Sequence, residues 1–155
     1  MTGFRRGTRL GVDVGRARVG VARCDPHGLL ATPVETVPRG EASIPRIVAI
    51  ARELDAFEVL VGLPINLKGE DTPSTTDARD FAQALAVASG LPVRLVDERL
   101  STVTAHAALR DSGRSQRESR SIVDQVAATL LLQQALDVEK STGRPPGTPV
   151  PLEPS

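Results

Sequence analysis

Apolar and polar positions alternate over residues 9–15 (RLGVDVG), with Leu10, Val12 and Val14 on one side and Gly11, Asp13 and Gly15 on the other. A period of two predicts a strand with one packed face. After Arg16-Ala17-Arg18, the run Val19-Gly20-Val21-Ala22 reads as a second strand, joined to the first in an antiparallel hairpin. Residues 29–37 predict a third strand, which Pro33 pushes toward a sheet edge. The period then changes. Ile44, Ile47, Val48, Ala51 and Leu54 recur at helical spacing, with Pro45 tolerated in the first turn. Glu58 to Leu63 is a short apolar run suited to a buried central strand. Residues 64–76 are rich in Gly, Pro, Ser and Thr and predict a loop. Residues 77–89 predict a helix with Phe81, Ala84, Leu85 and Ala88 inward, stopped by Gly90. Pro92 to Glu98 reads as a strand, residues 102–110 as a short helix capped by Ser101 or Thr102, and residues 111–120 as a polar loop. A strong helix is expected from Ser121 to about Asp137.

The order β-β-β-α-β-α-β-α-α predicts an α/β domain, an antiparallel meander followed by parallel strands joined by helices. Residues 1–8 are expected to be a flexible N-terminus and residues 9–138 the folded domain. Residues 139–155, poor in core formers and with five prolines after residue 139, are expected to be a disordered tail.

Composition narrows the functional classes. Nineteen basic and nineteen acidic residues cancel, so any nucleic-acid binding must come from a local patch. Three Phe with no Tyr or Trp argue against stacking platforms for single-stranded bases. One cysteine, Cys24, excludes an intramolecular disulfide framework and suits a reducing cytoplasm. No apolar run approaches the roughly 18 residues needed to cross a bilayer, and the arginines at 5, 6 and 9 precede no apolar stretch of the secretory kind.

Three carboxylates stand in apolar surroundings. Asp13 interrupts an otherwise apolar or glycine strand, and its same-face neighbours Gly11 and Gly15 leave room for a hydrated cation or a phosphate. It could equally cap the turn that follows. Glu98 ends a strand, where open α/β sheets bind ligands. It could instead pair with Arg99, and Asp97 beside it faces the other way. Asp124 lies on a helix face with Ala127, Ala128 and Leu131. Burying it unpaired would cost several kcal/mol; Arg120, one turn earlier, could be its partner. A shared metal is the alternative for all three. Carboxylates from two strands and a helix suit Mg²⁺ or Mn²⁺, and such ions assist phosphodiester hydrolysis. His27 and His106 lack zinc-like spacing with Cys24.

Taken in order, Gly11-Val12-Asp13-Val14-Gly15, Arg18-Val19-Gly20-Val21-Ala22, Val61-Gly62-Leu63-Pro64, Phe81, Leu95-Val96-Asp97-Glu98-Arg99-Leu100-Ser101-Thr102 and Ile122-Val123-Asp124-Gln125-Val126-Ala127-Ala128 resemble the YqgF, or RuvX-like, family across residues 9–137. The resemblance implies a ribonuclease-H-like fold with a five-stranded mixed sheet flanked by helices. It also implies that Asp13, Glu98 and Asp124 are the metal-binding catalytic positions. It further implies a nuclease that processes the 5′ end of precursor 16S ribosomal RNA, with Holliday junction resolution as the alternative activity. Candidates for substrate contact are Arg18, Asn66, Lys68, Arg99, Arg114, Arg117 and Arg120, with Arg16 on the same positive rim.

Two other classes compete. A phosphotransferase of the actin and sugar-kinase type shares an Asp-and-glycine first strand but needs two such domains, which 155 residues do not supply. A non-catalytic RNA-binding module would not need three intact acids. A junction resolvase is expected to be a dimer, whereas an RNA end-processor can be a monomer or a weak homodimer.

Overall fold

The computed structural model describes residues 4–65, 68–97 and 116–151, with side chains described from Asp124 onward in the last helix. Strands β1 (Thr8–Val14), β2 (Arg18–Cys24) and β3 (Ala31–Pro38) precede helix α1 (Ser43–Glu53) and strand β4 (Ala56–Leu63). Helix α2 (Pro73–Ser89), strand β5 (Val93–Asp97), helix α3 (Gln116–Thr142) and strand β6 (Thr148–Pro149) follow. The sheet order is β3-β2-β1-β4-β5-β6. β1 pairs antiparallel with β2, and β2 with β3; β1–β4 and β4–β5 are parallel. As Pro33 demands, β3 is an edge strand, and its register shifts near that proline.

Strand alternation divides the core in two. Leu10, Val12, Val19, Val21, Val59, Val61, Val93 and Leu95 face α1 and α2, where Ile47, Ile50, Phe81 and Leu85 fill the space between layers. On the other face Ala22, Cys24, Ala31 and Leu60 meet Ala128, Leu132, Ala135 and Leu136 of α3. This second interface mixes leucines with small residues. A Cβ on Gly11 would come within 2.9 Å of the Ala128 carbonyl oxygen and of Leu132 Cβ, and one on Gly20 would run into the Asp124 backbone carbonyl. The helix therefore rides directly on the backbone of β1 and β2. Gly20→Ala should cost about 2–3 kcal/mol through overpacking. Urea unfolding would measure this, and a change below about 0.5 kcal/mol would contradict so close an approach.

Several expectations need correction. The loop after β4 is shorter than residues 64–76, because Thr72 and Thr75 form a capping box with Pro73 at the first helical position. Residues 116–120, expected within a polar loop, belong to α3. Among the described residues the sheet has six strands rather than five. The tail adds the sixth: Thr148 and Pro149 pair with Leu95 and Arg94, and the Val150 N–H donates to the Val93 carbonyl at 2.8 Å. Residues 139–142 are helical.

Nor is the described part of the N-terminus loose. Arg5 hydrogen-bonds both Glu58 and Glu139, and Arg9 hydrogen-bonds Glu139 at 2.9 Å. Arg9, Glu58 and Glu139 are fully buried at the end of the sheet where β1 and β4 begin. Phe4 and Phe57 lie against the Arg9 guanidinium. Four complementary charges from segments far apart in sequence hold residues 5–9 down, which no local pattern reveals. The short helix expected over 102–110 lies outside the described residues.

Candidate nuclease site

The parallel strands β1, β4 and β5 all end at one edge of the sheet, and β2 begins there. Asp13 stands on β1 at that edge, half-buried, with Gly20 as its cross-strand partner. Partnered residues in such a ladder have Cα atoms about 5 Å apart and share a face. Gly20 in turn pairs with Thr36, so Thr36, Gly20 and Asp13 form one row across three strands. Helix α3 is pinned onto that row. The Asp124 backbone lies against Gly20, and the Gln125 side-chain amide donates to the Thr36 hydroxyl at 2.9 Å. Asp124 is thereby brought to the strand beside Asp13.

Asp124 is an ion-pair partner of Arg18, whose Nε donates to Oδ2 at 2.8 Å; the side chains are 17% and 33% exposed. Arg120, one turn earlier in the helix, was one alternative for a partner and a shared metal the other; the Arg120 side chain lies outside the described residues, and this partner comes from the facing strand. The turn between β1 and β2 is closed by the Gly15 N–H donating to the Arg18 carbonyl at 2.8 Å. Arg18 thus has a fixed backbone and a side chain laid across the helix end of the site.

The glycines flanking Asp13 do a different job from the one expected. Gly11 is covered by α3, and a Cβ on Gly15 would meet the Arg18 carbonyl at 2.6 Å. They make room for a helix and a turn, not for a ligand.

Glu98 lies outside the described residues, as do Asn66, Arg99 and Arg114; the side chains of Arg117 and Arg120 also lie outside the description. The strand leading to Glu98 is described. Val93 and Leu95 pack with the α1/α2 core and Val96 packs with the α3 core, so Asp97 ends β5 on the parity of Leu95. Asp97 is exposed. Among the described residues no three His, Cys, Asp or Glu side chains gather at one point.

A family model described as RuvX, Holliday junction resolvase, matches residues 7–138. The chain belongs to the RuvX family. A protein of Clavibacter michiganensis subsp. michiganensis named "Putative pre-16S rRNA nuclease" is 59% identical over 151 residues, covering 96% of this chain and 94% of that one. A Streptomyces coelicolor protein of the same name is 53% identical over 147 residues, covering 93% of this chain and 88% of that one. Among solved structures, Thermus thermophilus RuvC in complex with a Holliday junction substrate superposes with a TM-score of 0.56 at 16% identity, over 92% of this chain and 99% of that one. That likeness is one of fold, the ribonuclease-H-like α/β architecture.

On this RuvX chain the other face of the same edge carries a second cluster, which reading the sequence missed. Arg39 donates through Nη1 to the Gly15 carbonyl and to Asp77 Oδ2, both at 2.9 Å, and through Nη2 to Asp77 Oδ1 at 2.7 Å. These bonds hold the Asp77 carboxyl below the ordinary aspartate range. The clamp ties the turn after Asp13 to the start of α2. An open depression of about 390 Å³, lined by Arg16, Arg39, Pro73, Ser74 and Asp77, adjoins it. The only sequence signal was the position of Arg39 just after an edge strand, which does not announce a partner 38 residues away. Lys68, on the loop between β4 and α2, is exposed.

Proposed function

We propose that this chain is a metal-dependent nuclease that hydrolyses a phosphodiester bond at the 5′ end of precursor 16S rRNA, with Asp13, Glu98 and Asp124 as its metal-binding carboxylates. The observation that carries this reading is the seating of Asp124 on Gly20, beside Asp13, at the carboxyl edge of the sheet. Two acids from separate elements come to that edge, and their hard oxygen donors fit Mg²⁺ or Mn²⁺. When bound, the ion would polarise the phosphate and favour a nucleophilic water. Asp97 ends β5 on the parity of Leu95, away from the α3 side on which Val96 packs, and this supports Glu98 over Asp97 as the third acid.

The chain's own residues hold and orient the substrate. Arg16 and Lys68, with Arg18, Asn66, Arg99, Arg114, Arg117 and Arg120 as further contacts, would line the path of the phosphate backbone. Such contacts set position rather than sequence preference. Lys68→Ala and Arg16→Ala should each weaken binding of an uncleavable RNA and reduce the slope of log K against log salt by about 0.7 to 1. Fluorescence anisotropy between low and high salt measures it, and unchanged slopes would remove these residues from the binding path.

The family's description favours a second reading, resolution of a four-way DNA junction. The names of the most similar relatives favour the RNA. A side-by-side assay on a precursor 16S rRNA fragment and a synthetic four-way junction, with each metal, decides between them. Preferential cutting of the RNA at one 5′ position supports the first reading; symmetric paired cuts in the junction replace it with the second. Binding of RNA with no cleavage under any metal would leave a non-catalytic module. The protein is proposed to act in the cytoplasm, as a monomer or weak dimer. Among the described residues, no helix is long and apolar enough to cross a membrane.

A further inference from the structure

We propose that Arg18 is a built-in counter-cation of Asp124, displaced when a divalent ion binds and then free to contact a phosphate of the substrate. The inference rests on the reading of Asp13 and Asp124 as cation-binding acids, and it adds an order of events to that reading. Asp124 is largely buried over the bare backbone of Gly20 and beside Ala127 and Ala128. A carboxylate in that position needs a compensating charge in the absence of metal. Arg18 supplies it with a hydrogen bond of 2.8 Å from Nε.

The same bond stands in the way of a metal. A guanidinium and a hard divalent cation compete for the same carboxylate, and at a few ångströms their like charges repel. Arg18 can leave without unfolding anything. Its backbone is held by pairing with Pro38 and by the Gly15 N–H, while a third of its side chain is open to solvent. Arginine stays charged at all accessible pH values, and its planar fork suits a phosphate. Once displaced, it lies at the edge of the acid pair, where a phosphodiester would have to sit. Because coupling is reciprocal, a phosphate that draws Arg18 away also opens Asp124 to the ion.

The test is a titration of the full chain with Mn²⁺ in the absence of nucleic acid, following the spectroscopic signal of free Mn²⁺. Arg18→Gln should bind Mn²⁺ about tenfold more tightly than wild type. Arg18→Lys should tighten binding less, because lysine keeps the charge but is more strongly hydrated and lacks the fork. In an Asp124→Asn background the Arg18→Gln effect should vanish, which places the coupling on this pair. Arg18→Gln should also weaken binding of an uncleavable RNA in the presence of metal, an effect that a purely structural arginine would not produce. Equal or weaker Mn²⁺ binding by Arg18→Gln, with Asp124 still required, would overturn the proposal and leave the nuclease reading intact. Wild-type Mn²⁺ binding that does not depend on Asp124 would overturn both. If Arg18→Gln does not fold, Arg18→Lys decides, and unchanged or weaker binding overturns the proposal.

Discussion

Asp124→Asn should lower the rate of phosphodiester hydrolysis about a thousandfold, equivalent to roughly 4 kcal/mol of lost transition-state stabilisation. The substitution keeps the size of the side chain and an oxygen able to accept from Arg18, so the helix still seats on Gly20. What it removes is the charge proposed to hold a hard cation. Asp13→Asn should have a loss of the same order, because Asp13 lies on the strand next to Gly20 and shares its face. Glu98→Gln should follow them, whereas Asp97→Asn should stay within a few-fold of wild type, since Asp97 ends β5 on the parity of the opposite core. Single-turnover cleavage with saturating metal measures all four. Equal losses at Glu98 and Asp97 would contradict the assignment by strand parity.

The second large effect is on stability. Glu139→Gln should destabilise the protein by about 3–5 kcal/mol, the usual cost of removing one partner from a buried ionic group. For a chain of this size that lowers the melting temperature by roughly 10 °C. Glu139 is 1% exposed and accepts hydrogen bonds from Arg5 and Arg9. Without its charge, Arg5 and Arg9 share only Glu58, and one positive charge is left without a buried counterpart. Arg9 is already demanding, since its Nε makes no hydrogen bond and lies 3.8 Å from Glu58 Oε1.

The same group sets an acid limit. Burial pushes the Glu139 carboxyl up, but the hydrogen bonds from Arg5 and the charge of Arg9 outweigh it, and the carboxyl titrates below the ordinary glutamate value of 4.5. A carboxylate depressed in the folded state contributes stability that is fully present above its unfolded pKa and is lost as pH falls through the folded value. Stability should therefore begin to fall near pH 4.5 and keep falling below it. In Glu139→Gln that part of the decline should be absent. Denaturant unfolding at a series of pH values measures both, and a parallel decline in the two proteins would contradict the linkage.

Much of the architecture was legible because each strand and helix carries its own period. The alternation of Leu10, Val12 and Val14 against Asp13 assigned the correct faces, and Pro33 identified the edge. What failed was nonlocal. Arg5 read as part of a flexible end and Arg9 as the start of a strand with no partner assigned, because their partners, Glu58 and Glu139, come from the middle and the far end of the chain. Thr148 and Pro149 read as tail because a two-residue strand has no period, and only the open edge of β5 makes it a strand. The start of α2 was visible in principle, as a threonine followed by a proline and a second capping threonine.

The candidate site was legible in part for a physical reason. A charge set among Ala127, Ala128 and Leu131 marks Asp124 whatever its partner, and a facing strand with Gly20 is what admits it. The glycines around Asp13 were a true signal with a different cause, the close approach of α3 and a tight turn. Glu98 has no local signal that separates it from Asp97 except parity in the sequence, so its proposed role rests on the family resemblance and on the direction in which Val96 packs.

The most direct measurement is cleavage of an end-labelled precursor 16S rRNA 5′ fragment by wild type and by Asp13→Asn, each with Mg²⁺ and with chelator. The expected result is a discrete 5′-end product from wild type with Mg²⁺ alone, and none above background from the other three reactions. Equal products from the two proteins, or cleavage that survives chelation, would contradict a metal-dependent reaction centred on these carboxylates.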